Sequence, residues 1–334
     1  MRVLVQSRPD LLRLPAGDTV QVIETIRALG ALGIEVEHCT ELSPYLDAFD
    51  LVHFFNISRV QETYLQCKNA VDQGKPIALT PIYWNIEEYV LNGETVQREK
   101  LLQWWRKDHA LRSEVLRWAD IILPNGWAEM NILSRDFAIR PSYHIVPNGV
   151  DPAFKDAGPG QFEAEYGLRD MVLCVGRISP RKNQLSLIKA LNGTGLKLVL
   201  IGPINDPFYL EACRAIASGD VVFLPQMPQA KLASAYAAAK VHALPSWYDT
   251  PGLSSLEAAA AGCNVVSTNR GTAVEYFGNY AWYCDPGDIK SIREAVLAAY
   301  ASPKELLLQE LVLQEFTWER AARETLKAYE KILS

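Results

Sequence analysis

Short apolar runs alternate with helical stretches in both halves of the chain, and this pattern limits the possible folds more than any other feature. In the first half, Arg2–Gln6, Leu51–Phe55 and residues 76–80 have the length and composition of buried strands, and residues 119–123 and 144–146 are predicted to form two more strands. Helical patterns over residues 20–32 and 60–73 separate these runs. Strands that alternate with helices form parallel sheets covered on both faces. The sequence therefore predicts an α/β fold.

The alternation begins again after residues 156–161, a polar segment rich in Gly and Pro that is typical of a linker. Helical or turn-forming stretches separate the apolar runs of the second half, which lie at residues 171–175, 196–201, 221–224, 241–244, 264–267 and 282–284. A chain of 334 residues is long enough for two cores. We therefore expect two Rossmann-like domains facing a cleft.

Charge and cysteine content argue against several classes of protein. The chain has 33 Lys and Arg against 39 Asp and Glu, a net charge of −6, so no basic field would recruit nucleic acid. Its six cysteines show no C-x-x-C spacing, which fits reduced core residues of a cytosolic protein. The first residues lack the apolar core of a signal peptide, and no apolar run approaches the ~20 residues of a membrane span. We expect a soluble, cytoplasmic protein.

Residues 244–262 combine the end of a strand, a turn-forming loop and a helix of strong helix formers. The backbone N–H groups at such a helix start form an anion site. Asp249 and Glu257 bracket this site, and Glu257 is expected to lean back toward it. A sugar nucleotide, with phosphates for the amides and hydroxyls for the carboxylates, fits both. The alternative is an ordinary turn residue at Asp249 and an exposed or capping Glu257.

Two cations, Arg177 and Lys182, lie in the loop after the predicted strand at residues 171–175. Directed at a diphosphate leaving group, they would stabilise its developing charge. The alternative is a pair of solvated loop cations. Arg181 beside Lys182 leaves open which of the two reaches the phosphate, and the spacing favours Lys182.

These patterns together resemble one known family. Asp249 and Glu257, with seven residues between them, enclose Pro-Gly-Leu, and Leu-Glu-Ala-x-Ala-x-Gly follows. Arg177 and Lys182 match a Gly-Arg…Lys pattern, and residues 147–151 are Pro-Asn-Gly-Val-Asp. From about Pro147 onward the chain resembles retaining glycosyltransferases of family 4 (glycosyl transferases group 1), which have the GT-B fold. The first half is similar only in outline.

The resemblance implies transfer of a sugar, with retention of configuration, from a nucleotide diphosphate donor to a glycan or lipid-linked acceptor, as in polysaccharide biosynthesis. It implies no cofactor besides this donor substrate. The sequence contains no Asp-x-Asp pair, which agrees with a mechanism that needs no metal. The resemblance assigns catalysis to Arg177, Lys182, Asp249 and Glu257. It assigns donor binding to Gly17, Gly176, Gln226, Met227, Pro251, Gly252 and Leu253.

The same resemblance divides the chain into an acceptor-side domain (residues 1–153), a nucleotide-sugar-binding domain (154–315) and a helix crossing back to the first domain (316–334). A predicted helix at residues 97–118 is locally basic, with six Lys or Arg against three Asp or Glu. It would either form a weak peripheral contact with the inner face of the membrane or pack its apolar side on the sheet. The packing interpretation is favoured.

Three departures from the family pattern keep other functions open. The chain has Ala16-Gly17 where relatives have a Gly-Gly pair, and Asp249 is one methylene shorter than the usual Glu. A donor-facing histidine is missing near Thr80, where Tyr83 or His53 is the candidate replacement; a hydrogen-bonded structural role for His53 is the alternative. The alternative functions are a non-catalytic nucleotide-sugar or glycan-binding protein, and a GT-B epimerase or hydrolase.

Overall fold

The computed structural model describes residues 1–93 and 97–334. The chain divides into two compact units. Unit 1 contains residues 1–87, 97–149 and 318–334, and unit 2 contains residues 88–93 and 150–317.

Unit 1 is built on a parallel sheet with the strand order β2-β1-β3-β4-β5. Its strands are β1 (Arg2–Gln6), β2 (Glu35–Cys39), β3 (Leu51–Phe55), β4 (Ile77–Thr80) and β5 (Ile121–Ile122). Its helices are α1 (Gly17–Ala31), α2 (Val60–Asp72), α4 (Arg98–Lys107), α5 (His109–Trp118) and α6 (Trp127–Phe137), while α3 (Glu87–Asn92) lies almost entirely within the residues of unit 2. Every residue of β3 is buried, as expected for a central strand covered on both faces.

Unit 2 repeats this architecture with the strand order β11-β10-β9-β6-β7-β8, again all parallel. Its strands are β6 (Val172–Val175), β7 (Leu198–Ile201), β8 (Val221–Leu224), β9 (Val241–Leu244), β10 (Asn264–Thr268) and β11 (Trp282–Cys284). Its helices are α7 (Gly160–Tyr166), α8 (Gln184–Leu191), α9 (Pro207–Ile216), α10 (Gln229–Ala238), α11 (Leu253–Ala260), α12 (Ala273–Phe277), α13 (Ile289–Ala301) and α14 (Leu306–Glu315).

The sheet of unit 2 separates two apolar cores. Along β6, Leu173 and Val175 belong to one core, while Val172 and Cys174 belong to the other. This division follows from the two-residue period of a strand, whose successive side chains point to opposite faces. Helices therefore cover both faces, as the apolar strand sequences predict.

The last helix, α15 (Trp318–Leu333), groups with unit 1 and packs against α1. Ala328 and Tyr329 on this helix have no exposed surface. The buried residues of α15 recur at helical spacing along one side, and its charged residues lie on the other side. This is the arrangement expected of a helix that packs one face against a core.

Two details of the sequence prediction are wrong. Residues 97–118 form two helices, α4 and α5, which separate at the buried Asp108. The Arg112 guanidinium donates to the Trp105 carbonyl at 2.7 Å, and this carbonyl is the one that a continuous helix would pair with His109. Residues 144–146 run beside β5 with hydrogen bonds to Ile122 and Pro124, but they form only an isolated bridge at Tyr143.

The predicted α/β class with two Rossmann-like domains is confirmed by the two parallel sheets. None of the helices in the described part of the chain is both long and apolar enough to cross a membrane.

Candidate active site

The candidate site lies at the point in unit 2 where the strand order reverses. Strand β6 pairs with β7 on one side and with β9 on the other, and the backbone pairing of β6 with β9 ends at Leu173 and His242. The loop at residues 176–183 follows β6, and the loop at residues 245–252 follows β9. Open parallel sheets bind their ligands at such a reversal, beyond the carboxyl ends of the strands.

Lys182 and Asp249 form a buried ion pair across these two loops. The Lys182 Nζ lies 2.9 Å from Asp249 Oδ1 and 3.0 Å from Oδ2. Arg181 Nη1 adds a 3.4 Å contact to Oδ1, and the Ser246 hydroxyl donates to Oδ2. Only 9% of Lys182 and 7% of Asp249 are exposed. The residues that the sequence assigned separately to the phosphate and to the sugar therefore contact each other.

The charge state of this pair follows from its surroundings. Burial opposes the ionisation of Asp249, but the positive charges of Lys182 and Arg181 outweigh it and hold the pKa of Asp249 below its usual value. Burial also lowers the pKa of Lys182, and Asp249 offsets part of this effect. Each Asp249 oxygen already accepts two hydrogen bonds, so this carboxylate has little capacity left for another hydroxyl.

Backbone contacts fix the Asp249 loop in place. The Thr272 N–H donates to the Asp249 carbonyl at 3.2 Å, and Gly271 pairs with Asp249 as an isolated bridge. Gly271 has a φ of +82°, and a Cβ there would lie 2.0 Å from the Asp249 carbonyl oxygen. The Trp247 N–H donates to the Arg181 carbonyl at 2.9 Å, which joins this loop to the Lys182 loop.

Glu257 is the fifth residue of α11 and is partly buried. The Tyr236 hydroxyl on α10 donates to Glu257 Oε2 at 2.8 Å. Burial raises the pKa of Glu257 to about 7, and the Tyr236 hydroxyl acts in the opposite direction. Near neutral pH, Glu257 is therefore present in both its neutral and its ionised form.

The structure brings the other predicted donor residues of unit 2 to the carboxyl ends of its strands. Gly176 and Arg177 follow β6, and a Cβ on Gly202, after β7, would lie 2.1 Å from the Gly176 carbonyl oxygen. Gln226, which is exposed, and Met227, which is buried, lie between β8 and α10. Pro251 and Gly252 are buried in the loop that leads to Leu253, the first residue of α11.

Gly17 lies in unit 1, where it begins α1 after β1. The next residue, Asp18, accepts a hydrogen bond from the Thr19 N–H at 3.0 Å and pairs with Arg8 at 2.8 Å. This carboxylate occupies the start of the helix, where the N–H groups would otherwise attract an anion. The Asp18 carboxylate therefore already provides the negative charge that the N–H groups at the start of α1 attract.

Tyr83 and His53, the candidates for a missing histidine, are both bonded inside unit 1. The Tyr83 side chain is buried, and its hydroxyl donates to Asp136 at 2.9 Å. His53 is also buried, with Nδ1 2.6 Å from the Tyr329 hydroxyl and Nε2 2.8 Å from the Thr80 hydroxyl. The structural role for His53, weighed as an alternative, fits this position.

Sequence reasoning missed two side chains at the site, Tyr236 and His242. The His242 ring lies on β9, where its Nε2 accepts the Val175 N–H at 3.4 Å, beyond the last backbone pair of β6 and β9. Burial, assisted by Lys182, lowers the pKa of His242 to about 3, so the ring is neutral. A histidine within an apolar strand, such as His242, could have indicated a buried polar residue near the site. Tyr236 lies in an Ala-rich helix, where the local sequence gives no such indication.

Within residues 1–93 and 97–334, no group of three or more His, Cys, Asp or Glu side chains is arranged to hold a metal ion.

Comparison with solved structures identifies the fold class. The chain aligns over 99% of its length with sucrose-phosphate synthase from Thermosynechococcus elongatus, covering 99% of that chain with a TM-score of 0.81 and 18% identity. It aligns equally far with Anabaena Alr3699/HepE in complex with UDP and glucose, covering 99% of that chain with a TM-score of 0.76 and 16% identity. These likenesses concern the fold, and they confirm the GT-B architecture with its two Rossmann-like domains.

Sequence comparison then shows what the second half of the chain is similar to. Residues 161–309 match the family model described as Glycosyl transferases group 1. Two relatives are O-antigen chain mannosyltransferase B of Escherichia coli and the D-inositol 3-phosphate glycosyltransferase of Mycobacteroides abscessus. The first is 29% identical over an alignment that covers 47% of this chain and 45% of the relative. The second is 31% identical over an alignment that covers 52% of this chain and 43% of the relative. The chain thus spans about half the length of these curated relatives.

Proposed function

We propose that this protein is a retaining, metal-independent glycosyltransferase of family 4 that moves a sugar from a nucleotide diphosphate donor to a glycan or lipid-linked acceptor. The observation that carries the proposal is the buried Lys182–Asp249 ion pair, which joins the loops after β6 and β9 at the strand-order reversal of unit 2. The second of these loops leads into α11, which carries Glu257, and residues 161–309 match the Glycosyl transferases group 1 family model. A relative named as a mannosyltransferase and a structural neighbour in complex with UDP and glucose support a nucleotide-sugar donor.

In this proposal the cations bind the diphosphate and Glu257 binds the ribose hydroxyls. Arg177 and Lys182 stabilise the negative charge that develops as the sugar C1–O bond to the phosphate breaks. The acceptor oxygen forms the new bond to C1 on the same face, and its proton passes to the leaving phosphate. Asp249 keeps the Lys182 ammonium in the Gly176 loop.

Kinetics of cation variants test the assignment to the leaving group. Arg177→Ala and Lys182→Ala should lower kcat more than they raise KM, because the phosphate charge develops in the transition state. Lys197→Ala, which removes an exposed lysine paired with Asp220, is the matched control and should leave both constants unchanged. A rise in KM alone would assign the two cations to ground-state binding.

Metal independence has its own test. Release of nucleotide diphosphate in the presence of acceptor should continue at its full rate in excess EDTA, since Arg177 and Lys182 supply the positive charge. Inhibition by EDTA that added Mg²⁺ or Mn²⁺ reverses would contradict this part of the proposal.

One observation favours the alternative of a non-catalytic binding protein or a GT-B epimerase or hydrolase. Asp249, which the family resemblance directs at the donor sugar, is fully occupied by Lys182, Arg181 and Ser246. Incubation with sugar nucleotides separates the possibilities. A transferase releases nucleotide diphosphate only with acceptor present, a hydrolase or epimerase turns over the donor without acceptor, and a binding protein does neither.

The exposed tryptophan and the basic residues of α4 support a weak peripheral contact of unit 1 with a membrane. Trp104 is 42% exposed while the adjacent Trp105 is buried, and four Lys or Arg lie on this helix. Exposed tryptophan beside basic residues is typical of interfacial helices. Co-sedimentation with vesicles containing anionic lipid should fall on Trp104→Ala, and equal binding of the variant would contradict the contact.

A further inference from the structure

The Tyr236 side chain is held rigidly beneath Glu257. Tyr236 has no exposed surface, and its ring makes edge contacts with Phe154 and His242 at centroid distances of 5.9 and 5.7 Å. The Cys263 thiol donates to the Tyr236 backbone carbonyl at 2.9 Å. Since neighbours fix both the ring and the backbone, the position of the hydroxyl is determined by the fold of unit 2.

The Tyr236 hydroxyl binds only one of the two carboxylate oxygens of Glu257, which leaves the other oxygen available to a ligand. Tyr236 donates to Oε2 at 2.8 Å, whereas Oε1 has no hydrogen-bond partner among residues 1–93 and 97–334. A carboxylate held at one oxygen loses rotational freedom about its terminal bond, so the other oxygen keeps one direction. We propose that Tyr236 is a positioning residue that holds Glu257 so that Oε1 receives the ribose hydroxyls of the nucleotide. This inference rests on the proposed function of Glu257.

Electrostatics agree with this geometry. A donor hydrogen bond stabilises the ionised carboxylate, which accepts ribose hydroxyls better than a protonated one. The Tyr236 hydroxyl therefore opposes the effect of burial, which raises the pKa of Glu257 to about 7. Without the hydroxyl, Glu257 should ionise only at higher pH.

The other titratable groups around this pair stay in one state near neutral pH. His242 on β9 has its pKa lowered to about 3, and burial raises the pKa of Cys174 on β6 and of Cys263 after α11 to about 12. Of the charged residues on the helical segments that pack against α11, Lys155, Asp156 and Glu310 are exposed to solvent, Glu315 is half-buried, and Lys231 pairs with Glu165. A titration of nucleotide binding near pH 7 that depends on Glu257 therefore reports on Glu257 itself.

Calorimetric titration of Tyr236→Phe with UDP, GDP and ADP between pH 6 and 9 tests the proposal. The tightest of these ligands should bind the variant roughly tenfold more weakly than wild type at pH 7.5, the usual effect of losing one charge-assisted hydrogen bond. The loss should shrink toward pH 9, where Glu257 is ionised in both proteins. Glu257→Gln provides the reference for the titration of the ligand phosphates.

Two further variants separate positioning from a general structural role. Tyr283→Phe removes a tyrosine hydroxyl that donates to the Gly278 carbonyl at 2.7 Å, and it should bind nucleotide as wild type does. The double variant Tyr236→Phe with Glu257→Gln should bind no more weakly than Glu257→Gln alone. The double variant also decides the question if Tyr236→Phe by itself does not fold, because it leaves no buried carboxylate unpaired.

The outcomes distinguish this inference from the proposed function. Wild-type affinity and an unchanged pH profile in Tyr236→Phe, or a further loss in the double variant, would overturn the positioning role alone. Failure of wild-type protein to bind any of the three nucleotides would instead overturn the proposed function on which it rests.

Discussion

At the scale of single residues, the site depends on charges that the protein has removed from water. The Lys182–Asp249 pair is nearly inaccessible, and the desolvation of each ion is compensated only by its partner and by the hydrogen bonds around it. Removing one partner leaves the other charge buried and unpaired. Such a pair holds a cation at a defined position while keeping the loop nearly neutral.

Asp249→Asn should lower the free energy of unfolding of unit 2 by roughly 3–5 kcal/mol, because Lys182 then remains charged and buried. The double variant with Lys182→Met should recover most of this loss. The Asp249 pKa is depressed in the folded state, so its contribution is present above the usual aspartate value and is lost as the pH falls through the folded-state pKa. Urea unfolding between pH 3 and 8 measures both effects, and equal stability of single and double variants would contradict the ion-pair argument.

Glu257 should show the opposite dependence on pH. Its folded-state pKa is raised from 4.5 to about 7, so the folded protein binds this proton more tightly than the unfolded chain does. Ionisation therefore opposes folding increasingly as the pH rises from about 4.5 to 7. Glu257→Gln should be about 1–3 kcal/mol more stable than wild type at pH 8 but not at pH 4.5. A difference that does not change with pH would argue against a destabilising carboxylate.

At the scale of elements, the site is made by two loops that two neighbouring parallel strands, β6 and β9, bring side by side. The Asp249 loop is held in turn by the turn that follows β10. Its Gly271 combines a positive φ with a backbone approach that leaves no room for a Cβ.

Gly271→Ala should therefore displace the Asp249 backbone and weaken nucleotide binding as well as stability. Gly195→Ala is the matched control, since Gly195 has a φ of +73° but nothing within 4 Å of a Cβ. The control should cost only about 1–2 kcal/mol for the left-handed conformation, and Gly271→Ala clearly more. Thermal unfolding compares the two, and equal losses would show that the close approach to Asp249 can relax.

The elements also show how much could be predicted. Most of the strands, the loop with Arg177 and Lys182 and the helix with Glu257 can be predicted from local sequence, because apolar runs, turn residues and helix formers act over a few positions. Asp249, the partner of Lys182, lies 67 residues away, and Tyr329, one of the two partners of His53, lies 276 residues away. Such pairs depend on strand order and helix packing, which local patterns leave open. The break at Asp108 was missed for the same reason, since the Arg112 guanidinium that takes the Trp105 carbonyl is recognised only in three dimensions.

At the scale of the whole molecule, unit 1 is completed by a helix from the far end of the chain. The Tyr329 hydroxyl on α15 bonds to His53 on β3, and Ala328 is buried in the same unit. A variant that ends at Thr317 would expose this apolar surface of unit 1 and leave His53 without one of its two partners.

We expect calorimetry of this truncated variant to show a transition of unit 1 at lower temperature, while the transition of unit 2 is retained. Nucleotide diphosphate binding, which the proposal assigns to unit 2, should survive at temperatures where unit 2 stays folded. Tyr329→Phe, which removes only the hydroxyl bonded to His53, is the milder variant and should shift the same transition by a smaller amount. An unaltered melting curve after truncation would mean that α15 contributes little to unit 1.

The position of α15 also sets an order of events during synthesis. When the ribosome has made residue 149, all five strands of the unit 1 sheet have been synthesised, but α15, which covers part of this unit, has not. Residues 150–317 come first, and at roughly 5–20 residues per second they take on the order of ten to thirty seconds. For that interval the nascent chain carries an uncovered apolar face, so unit 2, although later in sequence, is the first unit whose residues are all available to fold.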